Sequence, residues 1–136
     1  MADISVDADA FGASLEQILG NLNHACDEAV QRGVRAGGKT ARKEWKRNAR
    51  RVLSKNSTGR YAKSISVKFG KSGGEHTAEV GSKNLPGLPH LLEKGHATLG
   101  GGRTRAFPHI APAFEVAAEE TYRTVLEGVD AAIGGQ

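Results

Sequence analysis

Apolar residues recur at spacings of three and four through the first third of the chain: Phe11, Leu15, Ile18, Leu19, Leu22, Cys26, Val30, Val34, Ala41, Trp45 and Val52. That period is helical and predicts a helical segment over residues 11–52. Ser14 with Gln17 three places later reads as a capping box, and Asp7 or Asp9 would cap a slightly earlier start. At about 100° per residue the stripe drifts steadily one way, so its repeat exceeds 3.6 residues and a long straight helix would wrap or break. Gly37-Gly38 is the weak point, because a glycine inside a helix costs about 1 kcal/mol relative to alanine. One long helix, and two helices hinged at those glycines, both fit the pattern.

The pattern changes after a turn at residues 55–59. Residues 64–69 (SISVKF) alternate polar and apolar as a half-buried strand does, and residues 76–81 (HTAEVG) read as its returning partner. Between them, residues 70–74 (GKSGG) predict a flexible hairpin loop. A short helix fits residues 89–94, and residues 97–106 (ATLGGGRTRA) form a polar glycine loop. A final helix follows, with Pro112 suited to its first position. Phe114, Ala118, Thr121, Val125, Val129 and Ile133 share one of its faces, and Gly134-Gly135 end it. The order is α+β: a long N-terminal helix, a β-hairpin or small antiparallel sheet, a short helix and a C-terminal helix. Residues 1–136 are expected to be a single domain, with 1–10 flexible and 96–106 a mobile glycine-rich loop. Trp45, Ile65, Val67, Phe69, Phe107 and Phe114 are the expected core.

Composition adds little by itself, since 38% hydrophobic residues in 136 is ordinary for a globular domain. One cysteine, Cys26, excludes an internal disulfide. No apolar run approaches the roughly 18 residues of a membrane span, and the acidic opening MADISVDADA is not a signal segment. A soluble protein made in the cytoplasm is expected. The charge distribution says more than the net +4: residues 32–63 hold twelve Lys/Arg and one acid, Glu44, whereas the first 31 and last 22 residues are acidic. Arg32, Arg35, Lys39, Arg42, Lys43, Lys46, Arg47 and Arg50 fall on one arc of the helical wheel, opposite Val34, Ala41, Trp45 and Val52. Such an arc predicts contact with DNA or with an acidic protein partner.

The same region contains GVRAGGKT at residues 33–40, which matches the G-x-x-x-x-G-K-[ST] of nucleotide-binding P-loops. A P-loop needs a buried strand before the glycines, so that the loop's N–H groups wrap a phosphate at a helix N-terminus. Here the preceding NHACDEAVQR is helical in pattern, and no apolar strand ending in Asp supplies the second carboxylate motif. Gly33 and Gly37 lie on the apolar side of the wheel, where a missing side chain lets another backbone approach. The match is read as accidental. Glu93-x-x-His96 is half of a di-metal motif without its second copy, and no serine or cysteine sits in a nucleophile setting. Neither an enzyme nor a cofactor or metal is expected.

From residue 58 onward the chain resembles the head–tail joining or tail-completion proteins of tailed bacteriophages, often described as minor tail or neck proteins. The resemblance rests on Gly59-Arg-Tyr-Ala-Lys-Ser64-Ile65, on Ala78-Glu-Val-Gly81, and on Pro89-His90-Leu-Leu-Glu93-Lys-Gly95 followed by Phe107-Pro-His-Ile-Ala-Pro112-Ala-Phe114. It covers residues 58–116. It implies a non-enzymatic virion subunit that forms a ring, commonly a hexamer, and meets portal- or adaptor-side proteins on one face and tail-side proteins on the other. DNA in the channel is a further implied partner. The subunit contacts would fall at His96, Leu99, Arg103, Arg105 and Phe107, and the basic arc would meet DNA or an acidic neighbour. A free nucleic-acid-binding protein using the same arc is the alternative.

Overall fold

The structure, a computed structural model, describes residues 4–53 and 59–134. The predicted turn at 55–59 lies, except for Gly59, outside the described residues. Helix α1 runs unbroken over Ala8–Val52, 45 residues, or roughly 68 Å. Its start is set by Asp7, whose carboxylate accepts from the backbone N–H of Asp9 at 3.0 Å and of Ala10 at 3.3 Å. The aspartate cap replaces the Ser14–Gln17 box. There is no hinge at Gly37-Gly38, because both glycines are buried under other elements that hold the helix straight through them.

The second helix, α2, is a short one at Arg60–Ser64, entered through Gly59 at a φ of 80°. It leads into β1 (Ile65–Ser72), which pairs antiparallel with β2 (Glu75–Ser82) from Ile65↔Ser82 to Ser72↔Glu75. The strands therefore extend further than the alternation predicted, and the expected five-residue loop shrinks to the two residues Gly73-Gly74. Both have positive φ, 57° and 85°. A tight two-residue hairpin turn demands that conformation, and glycine adopts it without a Cβ penalty.

The short helix α3 (Leu88–Lys94) follows, and after a loop comes α4 (Ile110–Gly134). Because α4 begins at Ile110, Pro112 is its third residue and not its first. Helix α4 lies antiparallel along α1. A Cβ built on Gly33 would collide with Val125, one on Gly37 with Thr121, and one on Gly128 with Ala29. These glycines bring the two backbones close, the role the wheel assigned to Gly33 and Gly37.

The drift of the α1 stripe now has a physical reason. Ala29, Gly33 and Gly37 face α4, while Gly38, slightly round the helix, faces Ala78, Phe69 and Val67 of the hairpin. Near its C-terminal end, Trp45 and Ala49 join Tyr61, Ala62, Ile65 and Ala113 in the core cluster. The stripe rotates because α1 meets different partners along its length. Of the expected core, Trp45 and Ile65 are buried, and Val67, Phe69 and Phe107 are half-buried. Phe114 is instead 45% exposed and touches Trp45 from outside, with ring centroids 6.2 Å apart. Thr121, Val125 and Val129 of the predicted α4 stripe are half-buried, with Thr121 and Val125 against α1, whereas at its start the buried residues are Ala113 and Ala117, one position before Phe114 and Ala118.

Candidate functional site

The eight predicted basic residues fall on the side of α1 that neither α4 nor the hairpin covers. All are exposed except Lys46, which is half-buried. They form one continuous surface, edged by side chains that touch neighbouring elements. The Arg35 guanidinium stacks 4.9 Å above the Phe69 ring. Arg42 Nε donates to the Ile65 carbonyl at 3.3 Å, tying the surface to the start of β1. Arg47 meets Glu44, the one acid of the region, at 3.7 Å. Burial lowers the Lys46 ammonium below its ordinary pKa, and the like charges of Arg42 and Arg50 lower it further. Such crowding of like charge is relieved by an anion.

Beside this face, a groove between α1 and the hairpin is lined by Gln31, Arg35, Phe69, Lys71 and His76. Two of those residues are paired with Asp27 of α1, which lies 2.9 Å from His76 Nε2 and 3.6 Å from Lys71 Nζ. The hydrogen bond from His76 and the charge of Lys71 hold the Asp27 carboxyl below its ordinary value against its partial burial. This pairing across 44 and 49 positions clamps α1 to the hairpin.

The GVRAGGKT residues lie in the middle of α1, their backbone committed to a continuous helix and their glycines covered by α4 and the hairpin. No strand enters them and no loop opens from them, so the P-loop match is accidental. Among the described residues no three His, Cys, Asp or Glu side chains group as a metal site.

The predicted subunit contacts gather on the loop between α3 and α4. His96, Leu99, Arg103 and Arg105 are exposed, and Phe107 is half-buried. The loop is a small hairpin: Thr104 N donates to His96 O at 2.9 Å, and Thr98 N to Gly102 O at 2.8 Å. Arg105 sits over the Phe107 ring, 5.4 Å from its centroid. Leu99 stands free at the tip.

What closes this loop is a lock built on Glu93, whose spacing to His96 had suggested half of a metal motif. Glu93 accepts from three backbone N–H groups at the start of α4: His109 at 2.7 Å, Ile110 at 2.8 Å and Ala111 at 3.0 Å. It caps α4 from another element. Burial alone would raise its carboxyl, but those three backbone donors outweigh it and hold the group below its ordinary value. The signal was present in the sequence. The residue before α4 is a histidine, no Ser, Thr, Asp or Asn precedes the helix to cap it, and its free N–H groups needed an acceptor from elsewhere.

His109 is fully buried and completes the lock. Its Nδ1 lies 2.6 Å from the Phe107 carbonyl, which only accepts, so the ring proton sits on Nδ1. Nε2 then accepts from the Tyr61 hydroxyl at 2.8 Å, and that oxygen accepts from Trp45 Nε1 at 3.0 Å. Burial raises the Tyr61 phenol above its ordinary value, which keeps it a donor.

Comparison with known proteins rests on one match. The model of the HK97-gp10-like family, described as "Bacteriophage HK97-gp10, putative tail-component", matches residues 9–95, more than half of the chain. The chain belongs to the HK97-gp10-like family. The match spans nearly all of α1, the hairpin, and α3 with Glu93 and Gly95. It therefore reaches the basic face and half of the Glu93 lock, and stops before the loop and α4. Among curated proteins and solved structures no similar chain is found. A phage tail component is a virion protein, and no described helix is long and apolar enough to cross a membrane.

Proposed function

We propose that this member of the HK97-gp10-like family is a structural, non-enzymatic subunit of the head–tail connector (neck) or tail-completion ring of a tailed phage or prophage. It joins head and tail by assembling as a ring, commonly sixfold, between portal- or adaptor-side and tail-side proteins. The observation that carries this reading is an unfinished surface. Among the described residues the sheet has two strands only, so each keeps a hydrogen-bonding edge without a strand partner. An open edge is a template for pairing with another chain. Next to it, the basic face of α1 stands uncovered, suited to DNA in the channel or to an acidic neighbour.

The test reverses charge where the fold does not depend on it. Arg42 and Lys46 are left alone, because one bonds the Ile65 carbonyl and the other is half-buried. Lys39→Glu, Lys43→Glu, Arg47→Glu and Arg50→Glu together should keep the circular dichroism of the parent and leave heads and tails unjoined. Normal infectious particles from this variant would remove the basic face from the mechanism. Light scattering of the parent with and without a DNA duplex, at low and high salt, separates the alternative. A small species that binds the duplex tightly and releases it steeply with salt is a free nucleic-acid-binding protein.

A further inference from the structure

From residue 32 to residue 51 of α1 every exposed residue is a lysine or an arginine, eight in all, and every other residue is buried or half-buried. No exposed apolar side chain interrupts that face. A protein partner is held through a core of aromatic and apolar groups depleted of charge, and this face offers none. A polyanion needs no such core, because it is held by cations that neutralise its phosphates and release their counterions.

The face is also without the groups that read or stack on bases. Between residues 32 and 51, Trp45 is the one aromatic and Asn48 the one amide. Both are buried and engaged, Trp45 Nε1 with the Tyr61 hydroxyl and Asn48 Nδ2 with the His109 carbonyl. Neither can stack on an unpaired base or bond the edge of adenine. What remains suits a duplex met at its phosphates. Two of the guanidiniums are held in place by the hairpin, Arg35 over the Phe69 ring and Arg42 on the Ile65 carbonyl, which favours the fork geometry of a phosphate contact.

The surrounding charge limits where a duplex can lie. The first 31 residues hold six acids and no Lys or Arg. On α4, which packs on the opposite side of α1, Glu115, Glu119, Glu127 and Asp130 are exposed. Both regions repel phosphate. The cationic stretch is about 29 Å long. A duplex running beside it carries roughly 17 phosphates over that length, so the eight cations, not the phosphates, cap the number of contacts.

We propose that α1 lays residues 32–51 against the phosphate backbone of a DNA duplex and holds it without reading its sequence. The inference rests on the proposed function for the place where the chain meets DNA, and it decides between the two partners which that reading allows the basic face. Each copy holds the duplex weakly and reversibly, as a channel wall that DNA slides past must, and several copies around one duplex add their contacts.

The test is fluorescence anisotropy of the full chain with labelled DNA of about 30 base pairs, in two unrelated sequences and as one single strand, between about 50 and 200 mM salt. The two duplexes should bind alike to within about twofold, and more tightly than the single strand. Dissociation constants should be about 10⁻⁴–10⁻⁶ M near physiological salt, and the slope of log K against log salt no steeper than about −7, the limit for eight contacts. Lys39→Gln, Lys43→Gln and Arg50→Gln together, all at exposed positions, should flatten that slope by about 2 to 3 without changing the circular dichroism. A preference of about tenfold for one sequence or for the single strand would overturn the inference. So would an unchanged slope in the triple variant, which would put the contact elsewhere. Failure to bind either duplex at about 50 mM salt would also overturn it, return the face to an acidic protein, and leave head–tail joining untouched. Duplex binding by a chain that phage particles lack would sink the proposed function and keep the contact.

Discussion

Over residues 29–41, α1 turns Ala29, Gly33, Gly37 and Ala41 inward, and all four are buried. Over residues 11–22 the corresponding face carries Phe11, Leu15, Ile18, Leu19 and Leu22, and only Leu22 is not exposed. One helix thus has a seam of small residues where its own chain packs on it and a ridge of large ones where nothing does. The difference is one of distance. Glycine and alanine are needed where the α4 backbone approaches within side-chain reach, a constraint that is absent from the uncovered end, where large apolar side chains have room to stand.

The glycines make this comparison breakable, and the largest expected effect comes from Gly37→Leu. Its side chain would have to occupy the space of Thr121 and the Ala117 carbonyl. The cost should be about 3 kcal/mol, the upper part of the usual overpacking range, and a large share of a small domain's stability. Urea denaturation with an unchanged m-value measures it. A variant as stable as the parent would mean that α4 does not sit in this seam.

A second, smaller effect tests the other end of α4. Glu93→Ala leaves three N–H groups without their acceptor, at a cost of about 2 kcal/mol. The pH dependence carries a sign. The Glu93 carboxyl lies lower in the folded state than its ordinary 4.5, so its stabilisation is complete above that value and disappears as pH falls through the folded value. The gap in urea midpoint between the parent and Glu93→Gln should therefore be widest near neutrality and close in acid below about 4.5. A gap that widened in acid would show that the carboxylate is not what caps α4.

These two sites were unequally legible in the sequence. The seam was readable, because Gly33 and Gly37 fell on the apolar arc at helical spacing and a close approach was the physical reason for them. The unbroken α1 was not, since glycine propensity argues for a hinge and only the partners on Gly37 and Gly38 overrule it. The hairpin was found, but its turn was overestimated because GKSGG looks loose until the register assigns Gly70, Lys71 and Ser72 to the strand. The lock was visible as a spacing, Glu93-x-Gly95 before Phe107-Pro-His, and silent as a structure. Its meaning depends on a contact across 16 to 18 positions, which no local period encodes. The basic arc was legible residue by residue, because α1 is helical throughout and the wheel applies without correction.

The smallest effect has the opposite sign, and it discriminates best between the two parts of α1. Gly12 and Gly20 belong to the bare end, and a Cβ on either meets nothing within 4 Å. Neither has a positive φ, so alanine fits the backbone as it stands. Gly12→Ala and Gly20→Ala should each favour the helix by about 0.5–1 kcal/mol, from the lower backbone entropy of the unfolded chain and the better intrinsic propensity of alanine. Helical circular dichroism should hold to higher temperature, and the urea midpoint should rise slightly. In the seam the same helix-favouring tendency is overwhelmed by collision. Destabilisation at Gly20 as well as at Gly37 in the monomer would mean that the first turns of α1 fold back on the molecule, and the ridge of large residues would then be a covered surface.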